Sequence, residues 1–241
     1  MHKLASVLLA VFLAGCATVG VEKVEQLKTG TTIAPLSLMG PTLAMRHVGT
    51  IVFQNERRDM DVAQWDIDKF TETSAARIIR EGGRFKAVLV DMGEARKKTG
   101  KLETSFWTSG AVLQGGAEGV TKLARDSGAD YVLVLGPAQL GDPFMGTNQS
   151  LSGYGIYQRS MFGLKRSINY LTMRMVLLDG KTGAEVARTH SHSSSPRTNE
   201  NWMDSDKLVL TGTNTTSTKA AIEQLIDGVL KKGLPELKLA R

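Results

Sequence analysis

"INYLTMRMVLLDG" (168–180) followed by "KTGAEVARTHSHS" (181–193) is the stretch on which the fold turns. Two strand-like runs flank Asp179-Gly180, a dipeptide that favours a tight hairpin. In the first run Leu171, Met173, Met175 and Leu177 fall on one side and Tyr170, Thr172, Arg174 and Val176 on the other. Alternate residues of a strand share a face, so one face is wholly apolar and is expected to meet the core.

Upstream, the pattern alternates between strand and helix. "VGTIVF" (48–53) reads as a strand. Residues 62–80 follow with helical steps at Ile67, Phe70, Ser74 and Ile78, closed by Gly82-Gly83. "RFKAVLVD" (84–91) reads as a second strand, 117–126 as a helix ending near Gly128, and "ADYVLVLG" (129–136) as a third strand. Downstream, Ile222, Leu225, Ile226 and Val229 mark an amphipathic last helix over 218–232. This order predicts one α+β or three-layer α/β domain, with packed helices on a mixed central sheet.

The N-terminus carries a different signal. Met1-His2-Lys3 is positive, and residues 4–14 are apolar apart from Ser6. Eleven residues make about 16 Å of helix, too short for a bilayer's roughly 30 Å hydrocarbon core. Such a leader ending in small residues reads as an export signal. "LAGC" (13–16) resembles the bacterial lipoprotein signal, whose cysteine is diacylated on sulfur and becomes the first mature residue. Cys16 is the chain's single cysteine, so no internal disulfide can form. Ala17 follows it, not the aspartate associated with inner-membrane retention. By that resemblance the chain is lipid-anchored at the outer membrane, on the periplasmic side. The expected division is a signal peptide 1–15, a lipidated N-terminus and tether 16–46, one periplasmic domain 47–235 and a tail 236–241.

"GRFKAVLVD", "SGADYVLVLG" and "LTMRMVLLDGKTGAEVARTHS", in that order, resemble the periplasmic domain of curli-secretion-type lipoproteins and of lipoprotein activators of penicillin-binding proteins. The TolB N-terminal domain is similar in architecture. Ala129, Asp130 and Tyr131 match the opening of the third strand, and Asp179, Thr182 and Gly183 match the hairpin turn. In physical terms Asp130 orders the entry to a strand, and Gly180 and Gly183 are expected to supply positive φ. The resemblance implies a TolB N-terminal-like fold and two modes of action. One is contact with a cell-wall synthase that regulates peptidoglycan synthesis; the other is assembly into an oligomeric secretion channel. Neither is read from composition.

Catalytic signatures are fragmentary. Lys98-Thr99-Gly100 and Lys181-Thr182-Gly183 match part of the penicillin-recognising pattern, but no lysine has a serine three residues before it. No Gly-x-Ser-x-Gly elbow, His-Glu-x-x-His pair or Walker loop occurs. His190 and His192 share a strand face without a third ligand at fixed spacing, and Asp204 and Asp206 form a similar pair. The sequence therefore predicts no enzyme, no cofactor and no metal, with an unidentified envelope hydrolase as the catalytic alternative. The net charge of +6 is spread over separated doublets, and export argues against nucleic acid. Gly141–Lys165, "GDPFMGTNQSLSGYGIYQRSMFGLK", is long and aromatic for a loop. Partner binding or homo-oligomer contact, folding back over the core, and membrane contact are all open for it. Its Phe144, Met145, Tyr154, Tyr157 and Phe162, with Trp202 further on, are the candidate partner-binding residues.

Overall fold

The computed structural model describes residues 18–90, 116–198, 203, 208–210 and 212–241. Cys16, Trp202, Asp204, Asp206 and the Lys98-Thr99-Gly100 fragment lie outside them.

The organising element is β9 (Leu164–Asp179), sixteen residues joined through the expected turn to β10 (Glu185–Pro196). β8 (Gly153–Met161) pairs antiparallel with residues 164–172 of β9, and β5 (Tyr131–Pro137) with residues 173–179. β10 pairs along 168–178, overlapping both, and so occupies the opposite edge. From β8 the sheet continues through β2 (Thr42–Val48), parallel, to β3 (Glu56–Asp61). From β5 it continues through β1 (Thr32–Ser37) to β4 (Lys86–Ala87), both pairings parallel. The result is an eight-stranded mixed sheet.

Both faces are covered. Helices α2 (Ile67–Glu81) and α4 (Thr213–Glu236) bury Leu171, Met173, Met175 and Leu177. On the other face α3 (Gly116–Ser127) packs over Val132, Val134 and Val176. Beside it the short hairpin β6 (Leu140–Gly141) and β7 (Ser150–Leu151) helps seal Tyr157, Ile168 and Tyr170, with Met145 and Leu151 in the same cluster. The fold is α+β in three layers, helices on both sides of a mixed sheet.

Several elements differ from the sequence reading. Residues 18–46, expected as a tether, hold α1 (Val21–Glu25), β1 and β2, two of the sheet's inner strands. Pro35 sits within one of these inner strands although it donates no ladder bond. Its position resolves this: the Thr31 and Ile33 carbonyls accept from Lys86 and Val88 of the β4 segment. Pro35, next in that series, lies beyond the last β4 pair. "VGTIVF" is not a strand; β2 ends at Val48 and Val52–Gln54 is a 3₁₀ turn. The second strand shrinks to Lys86–Ala87. The tail 236–241 is not free either, since Leu237 and Leu239 are buried in the main core.

The turn signatures have clear roles. Asp130 Oδ2 accepts the Thr32 N–H at 2.9 Å and ties the entry of β5 to β1. Asp179 Oδ1 accepts the N–H groups of Lys181 and Thr182 and the Thr182 hydroxyl. Burial pushes that carboxyl up, but the bonds from Thr182 and Lys181 outweigh it and hold it below the usual carboxylate range. Gly183 has φ 70° as expected, whereas Gly180 has no positive φ. Gly180 is needed for space: an added Cβ would sit 2.6 Å from the Asp130 carbonyl oxygen and 2.8 Å from Ala124 Cβ.

Candidate interaction surface

The segment 141–165 is folded, and most of its aromatic residues point inward. Tyr154 is buried and donates to the Gly40 carbonyl at 2.8 Å. Met145 is buried, and Phe144 packs on Tyr170 and on the ring edge of His192. Tyr157 is fully buried and donates to Asp142 Oδ2 at 3.0 Å; burial drives its phenol pKa well above the ordinary value. Asp142 also accepts the N–H groups of Phe144, Met145 and Thr147, and the Thr147 hydroxyl. This one carboxylate organises the chain between β6 and β7. Of the candidate residues placed here, Phe162 alone stands out in solvent, at 84 % exposure.

Phe162 belongs to a group the sequence reading did not assemble. Met161 opposes Leu164, so Phe162-Gly163 is a two-residue hairpin turn, with φ 50° and 82°. β2 runs parallel to β8 with Val48 beside Arg159, which brings the loop after β2 to the same end of the sheet. That loop carries Ile51, Val52 and Phe53, exposed at 54, 77 and 94 %. Leu164 is 76 % exposed. Among the described residues, six of the nine large apolar side chains that stand exposed lie on these two turns, so the patch is a cluster and not scatter.

The 49–55 loop is built to hold that presentation. Thr50 N–H donates to Gln54 Oε1 at 3.0 Å, and Gly49 N–H to Asn55 Oδ1 at 3.1 Å. The Gln54 and Asn55 N–H groups close onto the Ile51 and Val52 carbonyls. A Cβ on Gly49 would collide with Gln54 Cβ at 2.2 Å, so the turn closes over a glycine. The reading of "VGTIVF" as a strand hid this surface, because hydrophobicity alone does not say which apolar residues face water.

The collar behind the tip is basic. Arg159 lies directly opposite Arg166, and Lys165 opposite Ser160. Arg57 is exposed nearby on β3; Arg46 is bound to Asp59, and Glu56 stands opposite His47. Beneath the tip the interior turns polar: Arg197 donates to Asn169 Oδ1 at 2.9 Å and Thr218 Oγ1 at 2.7 Å. Burial pulls its guanidinium down to about 10. Gln158 is fully buried there with neither amide atom hydrogen-bonded to protein.

At the other end of the sheet the chain enters the fold. Val19 N–H donates to the Arg188 carbonyl and the Arg188 N–H to the Val19 carbonyl, both at 3.0 Å. Thr18 Oγ1 lies 3.4 Å from Thr189 Oγ1. The first described residues are thus paired to the free edge of β10.

Other candidates assemble less chemistry. A cleft of ≈ 360 Å³ includes Met39, Thr42, Arg46, Arg57, Gln139 and Ser150, but the Arg46 guanidinium is committed to Met45, Arg58 and Asp59. No group of three His, Cys, Asp or Glu side chains among the described residues is arranged to hold a metal ion. No described helix is long and apolar enough to cross a membrane.

No protein-family model matches the chain, and no curated protein matches it. Solved structures similar to it include the PelC dodecamer from Paraburkholderia phytofirmans, at 15 % identity and TM-score 0.36, covering 89 % of this chain and 91 % of that one. Another is lipoprotein GNA1162 from Neisseria meningitidis, at 14 % and 0.34, covering 80 % and 96 %. The LpoB C-terminal domain from Salmonella enterica matches at 13 % and 0.28, covering 72 % and 92 %. One of these is itself a lipoprotein, the class that the sequence signatures resemble. Likenesses this weak carry no functional argument.

Proposed function

We propose that the protein is an acylated envelope lipoprotein of the outer membrane's periplasmic side that acts by binding and assembly, not by catalysis. The observation that supports this most is the docking of Thr18 and Val19 on β10, two and three residues after Cys16. Two residues of chain span at most about 7 Å. Acyl chains on Cys16 would therefore hold the folded body against the bilayer, with no tether between. Several acyl chains at roughly 0.8 kcal/mol per buried methylene give an anchoring that one chain does not. The partner implied by the sequence resemblance is an envelope protein, a cell-wall synthase in particular, whose activity the docked module would shift.

Two measurements test the reading. Mass spectrometry of the protein from its host is expected to show a mature chain beginning at diacylated or triacylated Cys16. Cross-linking in the native envelope, with sedimentation of the products, is expected to recover a specific envelope protein. An unmodified cysteine on an uncleaved chain refutes the lipoprotein; turnover abolished by one cleft substitution refutes the binding role.

A further inference from the structure

We propose that the paired turns 49–55 and 161–164 form a second membrane contact, inserting Phe53 and Phe162 into the headgroup region of an anionic phospholipid surface. The proposal rests on the lipoprotein reading for which membrane is met, and on the tip's own chemistry for the contact.

Three features point to lipid. The tip is apolar at its point and cationic behind it, with Lys165 and Arg166 exposed on adjacent rungs of β9, and Arg159, whose guanidinium donates to the Met145 carbonyl at 2.7 Å, across from Arg166. That is the arrangement of an interfacial anchor, apolar side chains among acyl chains and cations among phosphates. Arg159 directly opposite Arg166 places like charges where cross-strand repulsion is unfavourable, a penalty that anionic headgroups relieve. Finally, Phe162 sits at the first position of a turn whose φ of 50° favours asparagine or glycine. Its ring is almost wholly in solvent, so burial within the chain does not compensate for the strained backbone.

The contact has a geometric consequence. The Val19 bridge joins β10 at Arg188, which lies opposite Val176, while the tip begins at Leu164, twelve residues further along β9. At ~3.3 Å per residue the two points are about 40 Å apart. Acyl chains at one and an inserted tip at the other reach the same leaflet only if β9 lies along the bilayer. Two-point attachment thus fixes the body lengthwise on the membrane.

The test uses the full-length protein purified from its host, reconstituted in vesicles of phosphatidylcholine with phosphatidylglycerol. Acylation occupies the only native thiol, so a cysteine at Phe53 or at Phe162 takes a single environment-sensitive fluorophore. Lys122→Cys on α3 and Glu223→Cys on α4 label the two opposite faces for comparison. Both tip labels are expected to be quenched by doxyl-labelled lipid about threefold more than either comparison label. Lys165→Glu with Arg166→Glu, labelled at position 53, is expected to return quenching to the comparison level, as is omission of phosphatidylglycerol. Phe162→Asn, a turn-favouring change, is expected to weaken quenching at position 53 without unfolding. Tip labels no more quenched than the comparison labels overturn the proposal. So does quenching indifferent to charge reversal, or a spectral shift without lipid quenching, the sign of a protein partner or second copy. Mass spectrometry of the same preparation scores acylation of Cys16 separately, so its failure is distinguishable from failure of the tip contact.

Discussion

Replacing Asp142 by alanine is expected to loosen the β6–β7 hairpin and lower the stability of the whole domain. The carboxylate accepts the Phe144 N–H at 2.8 Å, the Met145 and Thr147 N–H groups at 2.9 Å, the Thr147 hydroxyl at 2.7 Å and the Tyr157 phenol at 3.0 Å. A hydrogen bond to a charged group contributes roughly 1.5–3 kcal/mol, but these five share one carboxylate and several donors can reach water once it is gone. The expected loss is about 2–3 kcal/mol for Asp142→Ala and about half that for Asp142→Asn. With a urea m-value near ~3 kcal/mol/M, the alanine variant's midpoint falls by about 1 M. The pH dependence gives a second readout. Burial raises the carboxyl pKa, but the bonds from Met145, Thr147 and Phe144 prevail and hold it below the ordinary value. The unfolded chain then binds more protons on acidification. The carboxylate's contribution is full above the ordinary carboxylate pKa and is lost as pH falls through the lower folded value. The gap between the native and Asp142→Asn stabilities should therefore close in that acid range. An alanine variant whose midpoint moves by less than about 0.2 M, or a gap that persists in acid, refutes the account of Asp142 as the organiser of this hairpin.

Four further outcomes follow from other sites. Phe162→Asn should raise stability by roughly 0.5–1 kcal/mol in urea unfolding, because asparagine tolerates the positive φ and little burial is lost. Gly180→Ala should cost about 2 kcal/mol or more, since the new methyl meets the backbone carbonyl of Asp130, which cannot swing aside. Gln158→Met, similar in shape, should stabilise by about 1 kcal/mol by removing a buried amide without protein partners; a loss of stability would mean that the amide is hydrated or ligated. Burial holds His47 below the ordinary histidine pKa against the pull of Glu56, so the unfolded chain gains the proton first. Stability should therefore decline as pH falls below about 6.5, and less steeply in His47→Gln; equal slopes would remove His47 from the acid response.

How far the sequence carried depended on whether a residue's neighbours were local. The β9 face of Leu171, Met173, Met175 and Leu177, the α2 and α3 spans and the Asp179 turn depend on periods of two, three and four residues, and all were legible. β1 was not, because Gly30-Thr31-Thr32 and Gly40-Pro41 punctuate the segment and no strong period holds through it. The interior positions of Tyr154 and Tyr157 depend on partners at Gly40 and Asp142, one of them more than a hundred residues away. Asp68 and Glu72 of α2 were also missed: they accept the N–H groups of Met39 and Ser37, and so hold the exit of β1. The tip required knowing that β2 and β8 run parallel in register, information carried by no local pattern.

Beyond its first three residues β9 is buried on both sides, and it is hydrogen-bonded along both edges to three strands. Loss or gain of a single codon within 167–178 would turn every following side chain to the wrong layer and break the registers with β5 and β10, and with β8 as well where it falls before residue 172. Homologous chains should therefore vary in length at the ends of this strand, around Phe162-Gly163 and Lys181–Gly183, and hardly at all between them. A natural insertion found inside it would have to be matched by a bulge in each neighbour, a coincidence that drift seldom supplies.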